Sequence, residues 1–486
     1  MIIPINKSKS TDILSGLTSD QKTAYENIIK FINEPYNPNN YKIALSGAAG
    51  TGKTYLIKLL LKNSNLSYSQ INLAAPTHKA VRVLGEAIQL PVVLSTMASD
   101  LGFRPNYDSA KFDIKNPPFD PKGKVKLLDR KPLLYIMDEA SMIGRGELYY
   151  IEKFCKQINC KILFIGDATQ LPPVNETYSP AFKGLKLYEL KQIVRQGEDN
   201  PVSRLLEILR YDVQHKTFYF IKQIKSIPYK MNEDNTKGYM TVNTVDFNKI
   251  VYEYFNDEKL TENVDLCKLI AYTNSAVNGW NNVIRQSIIK DSNKAVLTKH
   301  DLLISYTNLV DSFNSSIINN SEDYIIHDIV NYTHPTYNIK GFMIRLKAIH
   351  GGKVTSPIFV MDHSDAFSVK MYLKISNELL NTAKNASSSG RSAAWKAYFK
   401  FKEGCLLLTN IVNAKNEILF SRDLDYGFAL TAHKSQGSTF NNVFVDVDDI
   451  VFDKFGMLYS NIDEINRRLY VACSRCKDKL ILKYNR

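Results

Sequence analysis

The chain has no run of 18 or more apolar residues, and a helix needs about 20 to cross a bilayer, so no membrane span is expected. Its start, Met1-Ile2-Ile3-Pro4-Ile5-Asn6-Lys7, lacks the charged-then-apolar order of a secretory leader. Cysteine is scarce and scattered, at Cys155, Cys160, Cys267, Cys405, Cys473 and Cys476. That excludes a disulfide framework and fits reduced thiols in the cytosol. Cys473-x-x-Cys476 has the spacing of a metal or redox pair, yet no second Cys/His pair lies near it in sequence. Glycine is also sparse, at 22 of 486 residues, but three glycines fall between positions 47 and 52.

Of what is present, the bulk numbers decide little. A net charge of +13 suits a polyanionic partner. However, only 15 of the 62 basic residues are Arg, and a Lys- and Asn-rich composition is also what an AT-rich gene produces. The 44% apolar content and the length suffice for several packed domains.

The glycine cluster is chemically explicit. Residues 47–54 read Gly-Ala-Ala-Gly-Thr-Gly-Lys-Thr, between the apolar run Ile43-Ala44-Leu45 and the helix-like Tyr55–Leu61. Gly47, Gly50 and Gly52 let the backbone curl so that N–H groups, including those of Ala49 and Thr51, face inward around phosphates at a helix N-terminus. Lys53 would reach the β/γ oxygens, and the Thr54 hydroxyl would ligate Mg²⁺, with Tyr55 next in line. Further apolar runs, Ile71–Ala75, Leu133–Met137 and Ile162–Ile165, read as buried parallel strands. They alternate with the helical stretches Gln21–Phe31 and Glu147–Gln157.

Carboxylates and amides sit where strands end. Asp138-Glu139 follows the 133–137 run, so Asp138 would hold Mg²⁺ and Glu139 would polarise the attacking water. Gln170, in Gly166-Asp167-Ala168-Thr169-Gln170, would orient the γ-phosphate or water. Gln21, just ahead of the first helix, could pair with adenine's edge. From Gly102 to Arg130 the pattern breaks into Pro-rich segments, suggesting an insertion. A second α/β series, with strands at Leu269–Tyr272, Val443–Val447 and Leu480–Lys483, is interrupted from about 290 to 425 by β-rich sequence.

The ordered motifs resemble those of the superfamily 1 helicases, in the 5′→3′ subgroup that includes RecD, Pif1 and phage Dda proteins. Gln21, residues 47–54, Ala74–Ala80, Asp138–Ser141 and Gly166–Val174 are similar to that family's Q motif and motifs I, Ia, II and III. Arg195 resembles motif IV, Thr273–Val277 with Asn281, Asn282 and Arg285 motif IVa, Leu430–Thr439 motif V, and Leu469–Arg475 motif VI. The 290–425 interruption also resembles the extended second accessory domain of the Dda group, with Ala394–Phe399 in its helical tower. Motif VI departs from the usual pattern at Cys473-Ser474, though Ser keeps the hydroxyl.

The resemblance implies an α/β fold of two RecA-like parallel-sheet motor domains, each with an inserted accessory domain. Domain 1A would span 1–102 and 131–197, a small pin-like 1B 103–130, 2A 198–289 and 426–486, and an SH3-like 2B with tower 290–425. Phe112 and Phe119 are candidates for the strand-separating pin. The implied activity is Mg-ATP hydrolysis in the cleft between the motor domains, driving 5′→3′ movement on single-stranded DNA and unwinding of forked duplex. Arg195 and Arg475 would act as arginine fingers, with Gly437 also at the nucleotide. Pro76, Thr77, His78, Lys79 and Thr96 would contact DNA from one domain, and Thr273, Asn274, His433, Lys434 and Thr439 from the other. Such donors suit phosphate and sugar contacts, which carry no sequence information. A cytoplasmic, monomeric and phage-encoded motor is expected, with replication or recombination proteins as possible partners. An RNA helicase of the same superfamily and an ATP-switched nucleic-acid loading protein are the alternatives.

Overall fold

The computed structural model describes residues 14, 16–105, 119–173, 176–192, 200–256, 260, 263–289, 292, 295–311, 315–349, 351–387, 389–415 and 417–485. The chain forms two compact units. One is built from residues up to 103 and from 123–220, the other from 104–122 and from 221 onward.

The first unit is a six-stranded sheet of β1 (Lys42–Gly47), β2 (Ile71–Ala75), β3 (Val93–Thr96), β4 (Leu134–Met137), β5 (Lys161–Gly166) and β6 (Leu187–Leu190). Its order is β3-β2-β4-β5-β1-β6 and every pairing is parallel. Alternation within the strands explains why both faces are covered. Leu45, Leu73, Ile136 and Leu163 face the helices α1 (Ser19–Asn33) and α2 (Lys53–Asn63), meeting Ile28, Phe31, Leu56 and Leu60. Ala44, Met137 and Phe164 face the other way, toward Ile151 and Phe154 of α4 (Arg145–Gln157). The helix α3 (His78–Ile88) connects β2 to β3, and α5 (Pro201–His215) packs with this unit. Each fully buried Leu or Ile here contributes about 1.5–3 kcal/mol.

The second unit contains another sheet, of β7 (Tyr229–Met231), β8 (Gly238–Val242), β9 (Cys267–Ala271), β15 (Ala429–Thr431), β16 (Phe440–Asp446) and β17 (Cys476–Lys483). The order is β15-β9-β16-β17-β8-β7, parallel except for the edge pair β7/β8. Helices α6 (Thr244–Phe255), α7 (Asn274–Ile288) and α10 (Ile462–Cys473) flank it. Between β9 and β15 the chain forms a five-stranded antiparallel sheet of β10 (Leu302–Ser305), β11 (Asp323–Thr333), β12 (Lys340–Ala348), β13 (Ile358–Met361) and β14 (Leu424–Tyr426). A helical pair, α8 (Ala366–Asn385) and α9 (Arg391–Gly404), follows β13 and buries Tyr372, Trp395, Tyr398 and Phe401 against Phe359 and Phe420.

Two buried ion pairs fasten this antiparallel sheet to the parallel one. Arg285 of α7 grips Asp301 through Nε and Nη2, at 2.7 and 2.9 Å, and also donates to the Ser292 and Ala295 carbonyls. Lys268 of β9, fully buried, donates to the Gly427 carbonyl at 2.7 Å and faces Asp323 at 3.4 Å.

In the Gly102–Arg130 segment, Arg104–Pro105 pairs antiparallel with Phe119–Asp120. Phe112 lies outside the described residues, as does the Phe119 side chain. All six cysteines are buried free thiols, and burial pushes the Cys473 and Cys476 thiols well above their ordinary range. Among the described residues no helix is long and apolar enough to cross a membrane.

Candidate nucleotide site and strand-facing edge

All six strands of the first sheet run parallel, so their C-terminal ends share one edge, where ligands of open α/β sheets bind. Strand order sorts the groups along that edge. The 47–52 loop leaves β1, Gly166–Gln170 leaves β5, Asp138 leaves β4, and Pro76–Lys79 and Thr96 leave β2 and β3 at the far end.

The loop's shape follows from its glycines. Gly50 and Gly52 have φ of 84° and 82°, a region that costs other residues roughly 1–2 kcal/mol. A Cβ on Gly52 would lie 2.6 Å from Gln21 Nε2, and one on Gly47 2.5 Å from Thr51 Oγ1. Gln21 is buried. Its Oε1 accepts from the Thr18 N–H at 3.1 Å, completing a capping box on α1, and its Nε2 donates to the Thr51 carbonyl at 2.9 Å. Both amide atoms keep one further bonding position for a base edge. Lys53 Nζ donates to the carbonyls of Gly47 and Ala48 at 2.6 and 2.9 Å. Thr54 is half-buried in the first turn of α2, Tyr55 beside it is exposed, and Ala49 is half-buried within the loop.

Asp138 donates its N–H to the Ala74 carbonyl at 2.8 Å, which ties the end of β4 to β2. Burial, and then the neighbouring Glu139 charge, push the Asp138 carboxyl up to about 7, against the opposing pull of Lys53. A carboxylate crowded in this way, with the neutral Thr54 hydroxyl on the adjoining helix, is a donor set that suits a hard divalent cation. Glu139 itself has φ 51° and ψ 39°, a left-handed conformation for a non-glycine residue. Gly166 permits the close approach behind it, since a Cβ there would lie 3.1 Å from the Ala140 nitrogen. Gln170 is buried, and its turn is joined to β1 by the Ala168 N–H donating to Ser46 Oγ at 3.1 Å. Arg195 lies outside the described residues.

At the β2/β3 end, Thr77 Oγ1 accepts from the Ala80 N–H at 3.2 Å and Thr96 Oγ1 from the Ser99 N–H at 3.3 Å. Each hydroxyl thus caps a helix and keeps its O–H as a donor. Pro76 and His78 border Thr77, and Lys79 is buried in the first turn of α3.

In the second unit, Thr273 and His433–Lys434 follow the neighbouring parallel strands β9 and β15. Asp449 holds Thr273 tightly, accepting from the Tyr272 and Thr273 N–H groups at 2.7 and 2.8 Å and from Thr273 Oγ1 at 2.7 Å. Asn274 Oδ1 accepts from Arg422 Nη2 at 3.3 Å. Lys434 Nζ donates to Asn320 Oδ1 at 2.7 Å and sits 4.3 Å from the Tyr306 ring centroid. Burial, and then the Arg468 cation, hold the His433 imidazole below its ordinary range. The 432–439 loop then crosses to the N-terminal edge, where Gly437 turns with φ 72° and half-buried Thr439 precedes β16. Arg475, buried at the start of β17, donates to the Val471 and Ser438 carbonyls and to Ser474 Oγ.

The structure therefore groups Gln21, Lys53, Thr54, Asp138 and Glu139 in one unit. In the other it groups Thr273, Asn274, His433 and Lys434 at one sheet edge, with Gly437, Thr439 and Arg475 at the opposite edge. Sequence reasoning missed Asp20, whose carboxylate accepts from the Lys191 and Gln192 N–H groups at 2.5 and 3.1 Å and so ties the chain just after β6 to the start of α1. It also missed Asp449, and the Arg422–Tyr306 pair that carries Asn274 and Lys434.

Known proteins match this chain along most of its length. A family described as an AAA domain matches residues 16–227, and one described as the UvrD-like helicase C-terminal domain matches 426–482. An uncharacterized protein of Acanthamoeba polyphaga mimivirus is 24% identical, covering 95% of this chain and 98% of its own. The ATP-dependent DNA helicase dda of Enterobacteria phage T4 is 27% identical over 56% of this chain, which spans 58% of it. A solved structure of Pif1 helicase, from work on DNA unwinding at forked double-stranded DNA by two coordinating Pif1 helicases, shares the fold. Its TM-score is 0.50 at 17% identity, with 96% of this chain and 92% of that one covered. With both halves matched in order around the motif set, the chain belongs to the Pif1/Dda/RecD-like superfamily 1B helicases, a family of ATP-hydrolysing DNA helicases.

Proposed function

We propose that this chain is a 5′→3′ motor that moves along single-stranded DNA and unwinds forked duplex, using Mg-ATP. The observation that carries the ATP half is the loop after β1, where Gly50 and Gly52 take φ of 84° and 82° ahead of Lys53, on the sheet edge where Asp138 ends β4. Phosphoryl transfer needs positioning and charge neutralisation more than covalent chemistry. The 47–52 backbone and Lys53 bind the β/γ-phosphates, Gln21 and Tyr55 border the base, and Glu139 takes up a proton from the attacking water. Gln170 orients that water. Thr54 and Asp138 would hold Mg²⁺, which when bound supplies charge stabilisation to the phosphates. Arg195 and Arg475 contribute guanidinium charge to the transition state, and Gly437 lets the loop beside Arg475 turn.

On the strand side, Pro76, Thr77, His78, Lys79 and Thr96 contact DNA from the first unit, and Thr273, Asn274, His433, Lys434 and Thr439 from the second. Their hydroxyls, amides and amines suit a sugar–phosphate backbone, so binding is sequence-tolerant and salt-dependent. The antiparallel sheet with its helical pair corresponds in this reading to the 2B domain and tower, and the segment around 103–130 to 1B. Direction is tested by displacement of streptavidin from biotinylated oligonucleotides: the motor removes it from the 3′ end, and removal from the 5′ end alone would reverse the assignment. Stimulation of ATPase by poly(dT) rather than poly(U) separates DNA from RNA as the track.

A further inference from the structure

Between β16 and α10 the chain makes a tight turn whose tip is apolar and exposed. Phe455 is 74% exposed, Met457 62% and Leu458 47%. This exposure is built into the turn. Asp453 Oδ1 accepts from the Phe455 and Met457 N–H groups, both at 2.9 Å, and the Asp453 N–H donates to the Met457 carbonyl at 2.8 Å. Gly456 supplies the positive φ of 78° that the turn needs, and Phe452 bridges to Leu458 below it. The base is fixed to the sheet edge that carries Thr273. The Tyr459 ring lies 5.4 Å from that of Tyr272, and the Arg468 guanidinium lies 3.3 Å from the Tyr272 centroid. Lys454 Nζ stands 5.0 Å from the Phe455 ring centroid, so the tip pairs an aromatic face with a cation.

We propose that Phe455, supported by Met457 and Lys454, is a base-stacking platform for single-stranded DNA. The inference rests on the reading that the Thr273–Lys434 edge faces the strand. A solvent-facing ring on a backbone pinned by Asp453 is held out for stacking, and any base offers a π-face. The Lys454 ammonium beside the ring favours a polyanion over an apolar protein partner.

The test is oligo(dT) binding by fluorescence anisotropy at fixed salt. Phe455→Ala is expected to weaken binding about tenfold or more, with Phe455→Tyr retaining it, because loss of one base–aromatic stack has an effect of that order. In Phe455→Trp, added to a chain with only two tryptophans, emission is expected to be quenched in step with oligo(dT) binding. Unchanged affinity in Phe455→Ala, or an unquenched Phe455→Trp that still binds DNA, overturns the proposal and leaves the tip as a protein-docking feature. Lys434→Ala, run in parallel, separates the two levels. If it alone weakens binding, the strand-facing edge stands without the platform; if neither variant weakens it, the edge assignment falls too.

Discussion

The Arg475 guanidinium donates from Nη1 to the Ser438 carbonyl at 3.2 Å and from Nε to the Val471 carbonyl at 3.1 Å. One side chain thus links the end of α10 to the loop that carries His433 and Lys434 at the other sheet edge. In the proposed function the same residue adds positive charge during ATP hydrolysis, so the nucleotide and DNA roles are joined through a short stretch of chain. Arg475→Ala should lower DNA-stimulated ATPase by about 10³ or more. It should also lower the melting temperature, because two carbonyls lose their donor. Steady-state kinetics and a thermal melt check both effects.

Lys53→Ala should abolish ATP turnover while single-strand binding stays measurable by anisotropy, since Lys53 lies in the phosphate loop and not on the strand-facing loops. Turnover near the wild-type rate would remove the phosphate-loop assignment.

Gly52→Ala tests the backbone. The new methyl would meet Gln21 Nε2 at 2.6 Å with φ at 82°, so the Gln21 amide or the loop must shift. The strain should cost on the order of 1–3 kcal/mol of stability and raise the KM for ATP. Calorimetry and an ATP titration read the two separately.

Lys434→Ala should weaken binding to all single-stranded sequences alike and reduce the slope of log K against log salt by about one. Retention of the full slope would mean that its ammonium meets no phosphate.

His433 gives a pH prediction. Its folded-state pKa is lowered by burial and by Arg468, with Glu464 opposing, so the folded protein takes up this proton less readily than the unfolded chain. The associated stability is present above the ordinary histidine range, near 6.5, and is lost as pH falls below it. His433→Gln should therefore lose less stability than wild type between about pH 7 and 5, as read from melting temperatures across that range.

Much of the site is legible in the chain because its chemistry restricts residue type. The positive φ at 50 and 52 favours glycine, and a carboxylate after the buried run 134–137 falls at the sheet edge whatever the surrounding helices do. The long strands were equally readable from their apolar runs. The short edge strands were not: β3 has four residues with Leu94 exposed, and β6 is only partly buried. Neither carries a continuous apolar signal. Nor does any local pattern announce that Asp449 grips Thr273 across 176 positions, or that Arg285 must meet Asp301 to seat the antiparallel sheet. Such pairings are set by tertiary packing of polar groups, which have no period to read.

Forked duplexes of identical sequence that carry either a 5′ or a 3′ single-stranded tail distinguish a 5′→3′ motor from its alternatives. With Mg²⁺ and ATP, a 5′→3′ motor separates the strands of the 5′-tailed substrate, and Lys53→Ala abolishes this. Separation from the 3′ tail alone, or none from either substrate while DNA-stimulated ATPase persists, would rule out a 5′→3′ unwinding motor.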